Sequence, residues 1–221
     1  MSSPSAYSPS SSVPADKPVR RVVFLCKSDN VGGAAIVTRR LMKALVSAGI
    51  DARMLVVDRK TDDDRVAMAG STLSRRYAFY AERLKLYLRG GFNRRDLFKV
   101  STASDGVAVA SHPWVKQADV VCLSWVNQGL LSLKGWRRLL RMDKQFVAIM
   151  HDLWYITGIC HLPASCTGYH VACGHCPYLN WRGPRDLSHR VWQTKAQLYA
   201  TGRMQFVAVS SWVADRCRES S

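Results

Sequence analysis

No stretch of this 221-residue sequence approaches the ~18 consecutive apolar residues that a membrane-spanning helix needs. Nor does the N-terminus pair a cationic start with an apolar run, so no secretory signal is expected. Acidic side chains are scarce: 16 Asp and Glu face 32 Lys and Arg, leaving a formal net charge of +16. That excess favours an anionic partner, whether nucleic acid, phospholipid headgroups or a phosphorylated substrate. Nucleic acid is the least suited of these, because no basic repeat or nucleic-acid-binding motif accompanies the charge. A complete GxGxxG is also missing, and no internal repeat is visible beyond a strand–helix alternation. These absences predict a cytoplasmic protein, and in the cytosol cysteines more often serve as metal ligands or catalytic groups than as disulfides.

What is present is mostly globular, with 48% hydrophobic and 22% charged residues. The opening MSSPSAYSPSSSVPADKP, rich in Ser and Pro, is the exception, and residues 1–18 are predicted to be a disordered tail. RRVVFLC at 20–26 is a continuous apolar run, the signature of a strand buried on both faces of a parallel sheet. A Gly-Gly turn follows it, then a helical repeat of Val37, Leu41, Leu45 and Ala48 that Gly49 stops, then a second strand in DARMLVVD. Similar apolar runs recur at 118–126, 145–152 and 204–210, with helical patterns between them at 129–142 and 187–202. The alternation predicts an α/β, Rossmann-like open parallel sheet with helices on both faces. Ligands bind such sheets outside the carboxyl ends of the strands. The candidate residues at those ends are Asp29, Gly32, Gly33, Trp125, His151, Asp152, Trp154 and Ser211.

Each candidate has a plainer reading beside the functional one. Gly32 and Gly33 could simply make a tight turn, or could let a phosphate or sugar approach the N–H groups of a helix N-terminus. His151 and Asp152 could be a structural pair, although a polar pair at the ligand edge of a sheet favours function. Trp125, Trp154 and Trp181 could be core residues or platforms for a sugar face. Cys160, Cys166, Cys173 and Cys176 form the spacing C-x5-C-x6-C-x2-C, with His161, His170 and His175 interspersed. Four thiolates would satisfy a tetrahedral structural zinc, while reduced packed thiols or a redox pair are the alternatives. The helical segment 72–90 carries Leu73, Tyr77, Tyr80, Leu84 and Leu88 on one face and Arg75, Arg76, Arg83, Lys85 and Arg89 on the others. Its apolar stripe either packs on the core or rests on an anionic membrane surface.

Three segments together, DNVGGAAIVTRRLMKALVSAGIDARMLV, MHDLWYITGICHLPASCTGYHVACGHCPYL and FVAVSSWVADRCRESS, resemble the N-terminal half of family 4 glycosyltransferases. The resemblance is to the subgroup with an HDxWxxTGGCH signature followed by further cysteines, and Ile159 replaces its second glycine. It implies the acceptor-side domain of a GT-B fold over residues 19–221, with a cysteine-rich insert at 158–180. It further implies that a C-terminal donor-binding domain is absent and that the chain is inactive alone. The implied activity is retaining hexosyl transfer from a nucleotide-diphospho-sugar to a glycan or lipid-linked acceptor in polysaccharide biosynthesis. No cofactor is implied for the chemistry, and the cysteines would brace the loop that holds His151, Asp152 and Trp154 at the cleft. Gly32 and Gly33 match the family's loop beneath the donor phosphates, and His151 its sugar-contacting histidine. The expected location is cytoplasmic, peripheral at the membrane's inner face. A non-catalytic module that binds a partner or an anionic membrane through its basic face is the alternative.

Overall fold

A computed structural model of the protein describes residues 19–220, so the segment 1–18, expected to be a disordered tail, lies outside the described residues. Six parallel strands form one sheet: β1 (Arg21–Leu25), β2 (Asp51–Val56), β3 (Val66–Met68), β4 (Val120–Leu123), β5 (Gln145–Met150) and β6 (Met204–Ala208). Their spatial order is β3-β2-β1-β4-β5-β6. The helices are α1 (Gly33–Ser47), α2 (Thr72–Arg89), α3 (Pro113–Gln117), α4 (Leu133–Leu139), α5 (Leu187–Tyr199) and α6 (Ser211–Arg218). This is the α/β, Rossmann-like open sheet that the alternation predicts.

The apolar runs are continuous because the sheet is covered on both faces. Val22 and Phe24 of β1 pack in one cluster with Met54 and with Ala35 and Met42 of α1. Their neighbours Val23 and Leu25 point the other way, into a larger cluster with Val115 of α3, Trp136 of α4 and Leu198 of α5. Side chains alternate between the faces of a strand, so a strand covered on both must be apolar at every position.

Two expectations need correcting. The buried face of α1 is Ala35, Thr38 and Met42, with Leu45 packed beside it, while Val37, Leu41 and Ala48 are exposed, so only Leu45 of the predicted repeat meets the core. The run at 204–210 does form a strand, but an edge strand with a single neighbour, and Phe206, Val207 and Val209 remain exposed. Among the described residues no helix is long and apolar enough to cross a membrane.

The long segment between β5 and α5 is held by contacts with distant chain. Ser101 N–H donates to Ile159 O at 2.7 Å and His161 N–H to Lys99 O at 3.0 Å, joining the segment to the loop that follows α2. Asp186 caps α5 through the N–H groups of Ser188 and His189, and its other oxygen accepts the Cys176 N–H at 2.8 Å. Ile159, Cys160, Cys176 and Leu179 pack with Leu86 of α2 and Val191 of α5 in a third cluster.

Candidate functional site

In the strand order β3-β2-β1-β4-β5-β6, the chain runs outward from β1 to one edge and then returns to build the other half from β4. Connections leave β1 and β4 in opposite directions, which opens a crevice above their carboxyl ends. A cavity of about 390 Å³ sits there. Lys27, Gly32 and Gly33 line it from the β1–α1 turn, Trp125 and Gln128 from the segment after β4, and His151 and Asp152 from the end of β5.

Gly32, the N-cap of α1, has φ 88° and ψ 161°, a backbone conformation essentially closed to residues with a Cβ. Gly33 has no such requirement, and a Cβ built on either glycine meets nothing within 4 Å. The missing side chain of Gly33 therefore leaves open space on the wall of the cavity. The first turn of α1 carries no acidic residue and no side-chain cap, so the N–H groups at this helix end keep their partial positive charge. Lys27 adds a full charge, its ammonium 5.5 Å from the Phe79 ring centroid and 5.8 Å from that of Trp125, with Gln128 Oε1 as hydrogen-bond acceptor. Burial pulls its pKa below the usual lysine range, partly opposed by Asp58. No carboxylate among the described residues forms an ion pair with it.

His151 is oriented by two buried hydroxyls. Thr38 Oγ1 donates its hydrogen to Ala34 O at 2.7 Å, so in its contact with Ser124 it can only accept. The Ser124 hydrogen is thereby committed to Thr38, and the 2.8 Å contact from Ser124 Oγ to His151 Nε2 requires the ring nitrogen to donate. The tautomer is fixed with hydrogen on Nε2, and Nδ1, which has no partner among the described residues, keeps a lone pair for an incoming hydroxyl. Burial lowers the imidazole pKa below its ordinary value, and the nearby Asp152 only partly offsets this, so the site favours the neutral ring.

Asp152 is the hub of the loop. Its Oδ2 accepts from the Trp125 indole at 2.9 Å and from His161 Nδ1 at 2.8 Å, and its Oδ1 accepts the Trp154 N–H at 2.9 Å. Burial works to raise its pKa, but the hydrogen bond and charge of His161, the Trp154 N–H and the Trp125 indole outweigh it and hold the carboxyl below the usual range. His161 in turn stacks on Trp125 at 5.3 Å. Ionised and fully engaged, Asp152 holds Trp125 and His161 in place.

Of the residues singled out in the sequence, Gly32, Gly33, Trp125, His151 and Asp152 line the cavity, and Asp29, Trp154 and Ser211 do not. The Asp29 carboxylate is buried and braces the β2–β3 connection through the N–H groups of Lys60 and Thr61 and the Thr61 hydroxyl. Trp154 is fully buried, stacked on Trp136 at 6.1 Å. Ser211 is exposed in the first turn of α6, and Trp181 is exposed elsewhere.

The four cysteines do not make the expected zinc site. Among the described residues no group of three or more His, Cys, Asp or Glu is arranged to hold a metal ion. Burial pushes the thiols of Cys160 and Cys173 up to about 11 and that of Cys176 to about 12, and Cys173 Sγ accepts the Gly158 N–H at 2.9 Å. Cys160, Cys173 and Cys176 are thus buried thiols, and Cys166 is half-buried.

Comparison with known proteins adds one relation. Over an alignment of 137 positions that takes in 58% of this chain, it is 31% identical to a protein of Escherichia coli (strain K12) named "Putative colanic acid biosynthesis glycosyl transferase WcaC". The match covers 31% of that protein's length, so the chain corresponds to less than a third of it. No family model and no solved structure matches the chain.

Proposed function

We propose that this chain is the acceptor-side part of a retaining glycosyltransferase that moves a hexose from a nucleotide-diphospho-sugar to a glycan or lipid-linked acceptor during polysaccharide biosynthesis. The observation that carries the reading is the cavity at the sheet's switch point, where a neutral, tautomer-fixed His151 faces an open glycine turn and an unpaired lysine. Similarity to a protein named as a glycosyl transferase of colanic acid biosynthesis supports the reaction class.

In this reading His151 Nδ1 accepts a hydrogen bond from a hydroxyl of the transferred sugar or the acceptor. Gly32 and Gly33 leave room for the diphosphate to approach the N–H groups of α1, and Lys27 supplies charge against the oxygens of the departing group. Preorganised donors of this kind stabilise charge that develops in the transition state. Asp152 positions the Trp125 face beside them.

The test uses a polypeptide joining this chain to a donor-binding half, screened for nucleotide-sugar hydrolysis and transfer. Turnover of one such sugar is expected, and His151→Ala should lower it by about 10²-fold, the usual scale for a lost transition-state contact. Absence of turnover with every nucleotide-sugar would remove the reaction class, and unchanged turnover in the variant would remove His151 from the site.

A further inference from the structure

Helix α2 is inside out for a helix packed on a core. Its buried face is Ala78, Glu82, Arg83 and Leu86. Glu82 Oε1 accepts from the Ser101 hydroxyl at 2.7 Å and the Ala103 N–H at 2.8 Å, while Arg83 pairs with Glu82 at 3.0 Å and donates to Val100 O at 3.2 Å. This polar clasp fixes the orientation of the helix. The stripe Leu73, Tyr77, Tyr80, Leu84 and Leu88 is left outside, between 52% and 79% exposed. Phe92 and Phe98, in the segment after the helix, extend the apolar surface and are 64% and 59% exposed. Isolated exposed apolar residues are ordinary on a protein surface, but here all except Phe92 line one shallow groove, and Phe92 packs on Tyr87 at its border, a continuous patch that marks a face covered in use.

The charges around this face say what covers it. Lys85 is matched by Asp105 and Arg83 by Glu82, so two of the five cations that the sequence offered are neutralised. Arg76, Arg89, Arg94 and Arg95 are exposed and form no ion pair among the described residues. A second copy docking across a two-fold axis would bring the same unpaired arginines against one another. A bilayer with anionic headgroups takes both parts at once: Leu and Tyr side chains enter at the acyl boundary and arginines meet phosphates. We propose that the exposed face of α2, with Phe92 and Phe98, docks on an anionic lipid bilayer.

Phe79, whose ring meets that of exposed Tyr80 at 5.3 Å, links the docking face to the cavity. Phe79 of α2 holds its ring over Lys27, and the Phe79 backbone N lies 2.9 Å from where a Cβ on Gly129 would stand, one residue beyond cavity-lining Gln128. Docking through α2 thus sets the cavity beside the headgroups. If the transferase reading holds, on which this clause rests, the acceptor is lipid-linked and reaches the cavity from the bilayer.

Vesicle flotation of the 221-residue chain tests docking without reference to transfer. Vesicles of phosphatidylcholine with phosphatidylglycerol should carry the protein at least about ten-fold better than phosphatidylcholine alone, and molar salt should release it. Tyr77→Ser with Tyr80→Ser and Leu84→Ser, and separately Arg76→Glu with Arg94→Glu, should each reduce binding about ten-fold or more; all five side chains are exposed, so circular dichroism should be unchanged. Equal flotation with neutral vesicles, no flotation, or full binding by both variants would overturn the proposal. So would a wild-type dimer that the serine variant dissociates, since a second copy would then be the occupant. Docking that persists in a protein without transferase activity would separate this inference from the proposed reaction.

Discussion

His151 owes its chemical state to residues that lie far from it in the chain. The hydroxyl relay from Thr38 through Ser124 fixes hydrogen on Nε2, and burial disfavours the imidazolium. A histidine whose folded pKa lies below its unfolded value of about 6.5 binds fewer protons folded than unfolded between those two values. Its contribution to stability is complete above about pH 6.5 and falls as the pH drops toward the folded value, and His112, lowered by burial, adds the same sign. Nitrogen-15 NMR of the chain should therefore show His151 as the Nε2–H tautomer, titrating below 6.5. Ser124→Ala should remove the relay and bring the Nδ1–H tautomer into the population. A midpoint at or above 6.5, or a tautomer unaffected by Ser124→Ala, would contradict the relay.

At the scale of elements, the β1–α1 turn separates two glycines that look alike in the sequence. Gly32→Ala forces a Cβ into a conformation with φ 88° and should destabilise the fold by about 1–3 kcal/mol. Gly33→Ala meets no protein atom within 4 Å and gains helix propensity, so stability should hold or rise by up to about 1 kcal/mol. Only the second change fills the cavity wall without unfolding the turn, so it should weaken ligand binding at undiminished stability. Urea denaturation beside ligand titration checks both, and a destabilised Gly33→Ala with unaltered binding would make that glycine a packing residue. The sequence made β1, β4 and β5 legible because strands covered on both faces are almost wholly apolar, and β2, which carries Asp51 and Arg53, was legible from its place directly after the Gly49 stop of α1. It could not tell that β6 is an edge strand, since its apolar composition is the same. The three residues of β3 were too few to show a period. In α2 the period was right and the direction was not legible, because the stripe follows from helical spacing while the Glu82–Arg83 clasp depends on Ser101 and Ala103, about 20 residues away. The order of the cysteine segment likewise comes from Lys99, Ser101 and Asp186, whose pairing leaves no trace in cysteine spacing.

For the whole molecule, topology decides which strand-end residues meet. Sequence position at a carboxyl end brought out Gly32, Gly33, Trp125, His151 and Asp152, but the same rule also picked Asp29 and Trp154, whose side chains turn toward the β2–β3 connection and the core. Lys27 carried no signal beyond its place directly after an apolar run, although it is the cation of the cavity. Three loops spread over more than a hundred residues of sequence are thus joined in one site, and a ligand of the proposed class should report on all three together. Titration of uridine diphosphate into the chain should shift the NMR signals of Gly33, the Trp125 indole and His151 with a single dissociation constant. The fully buried Trp136 indole should stay where it is. Lys27→Met keeps the stem of the side chain and removes its charge, and the loss of one charge-assisted hydrogen bond should weaken binding by about ten-fold or more. Because the net charge is +16, an anion could instead spread over the basic surface, but such binding would not saturate and would barely respond to one lysine. Shifts confined to one loop, or unaltered affinity in Lys27→Met, would mean that the switch-point cavity is not where a nucleoside diphosphate binds.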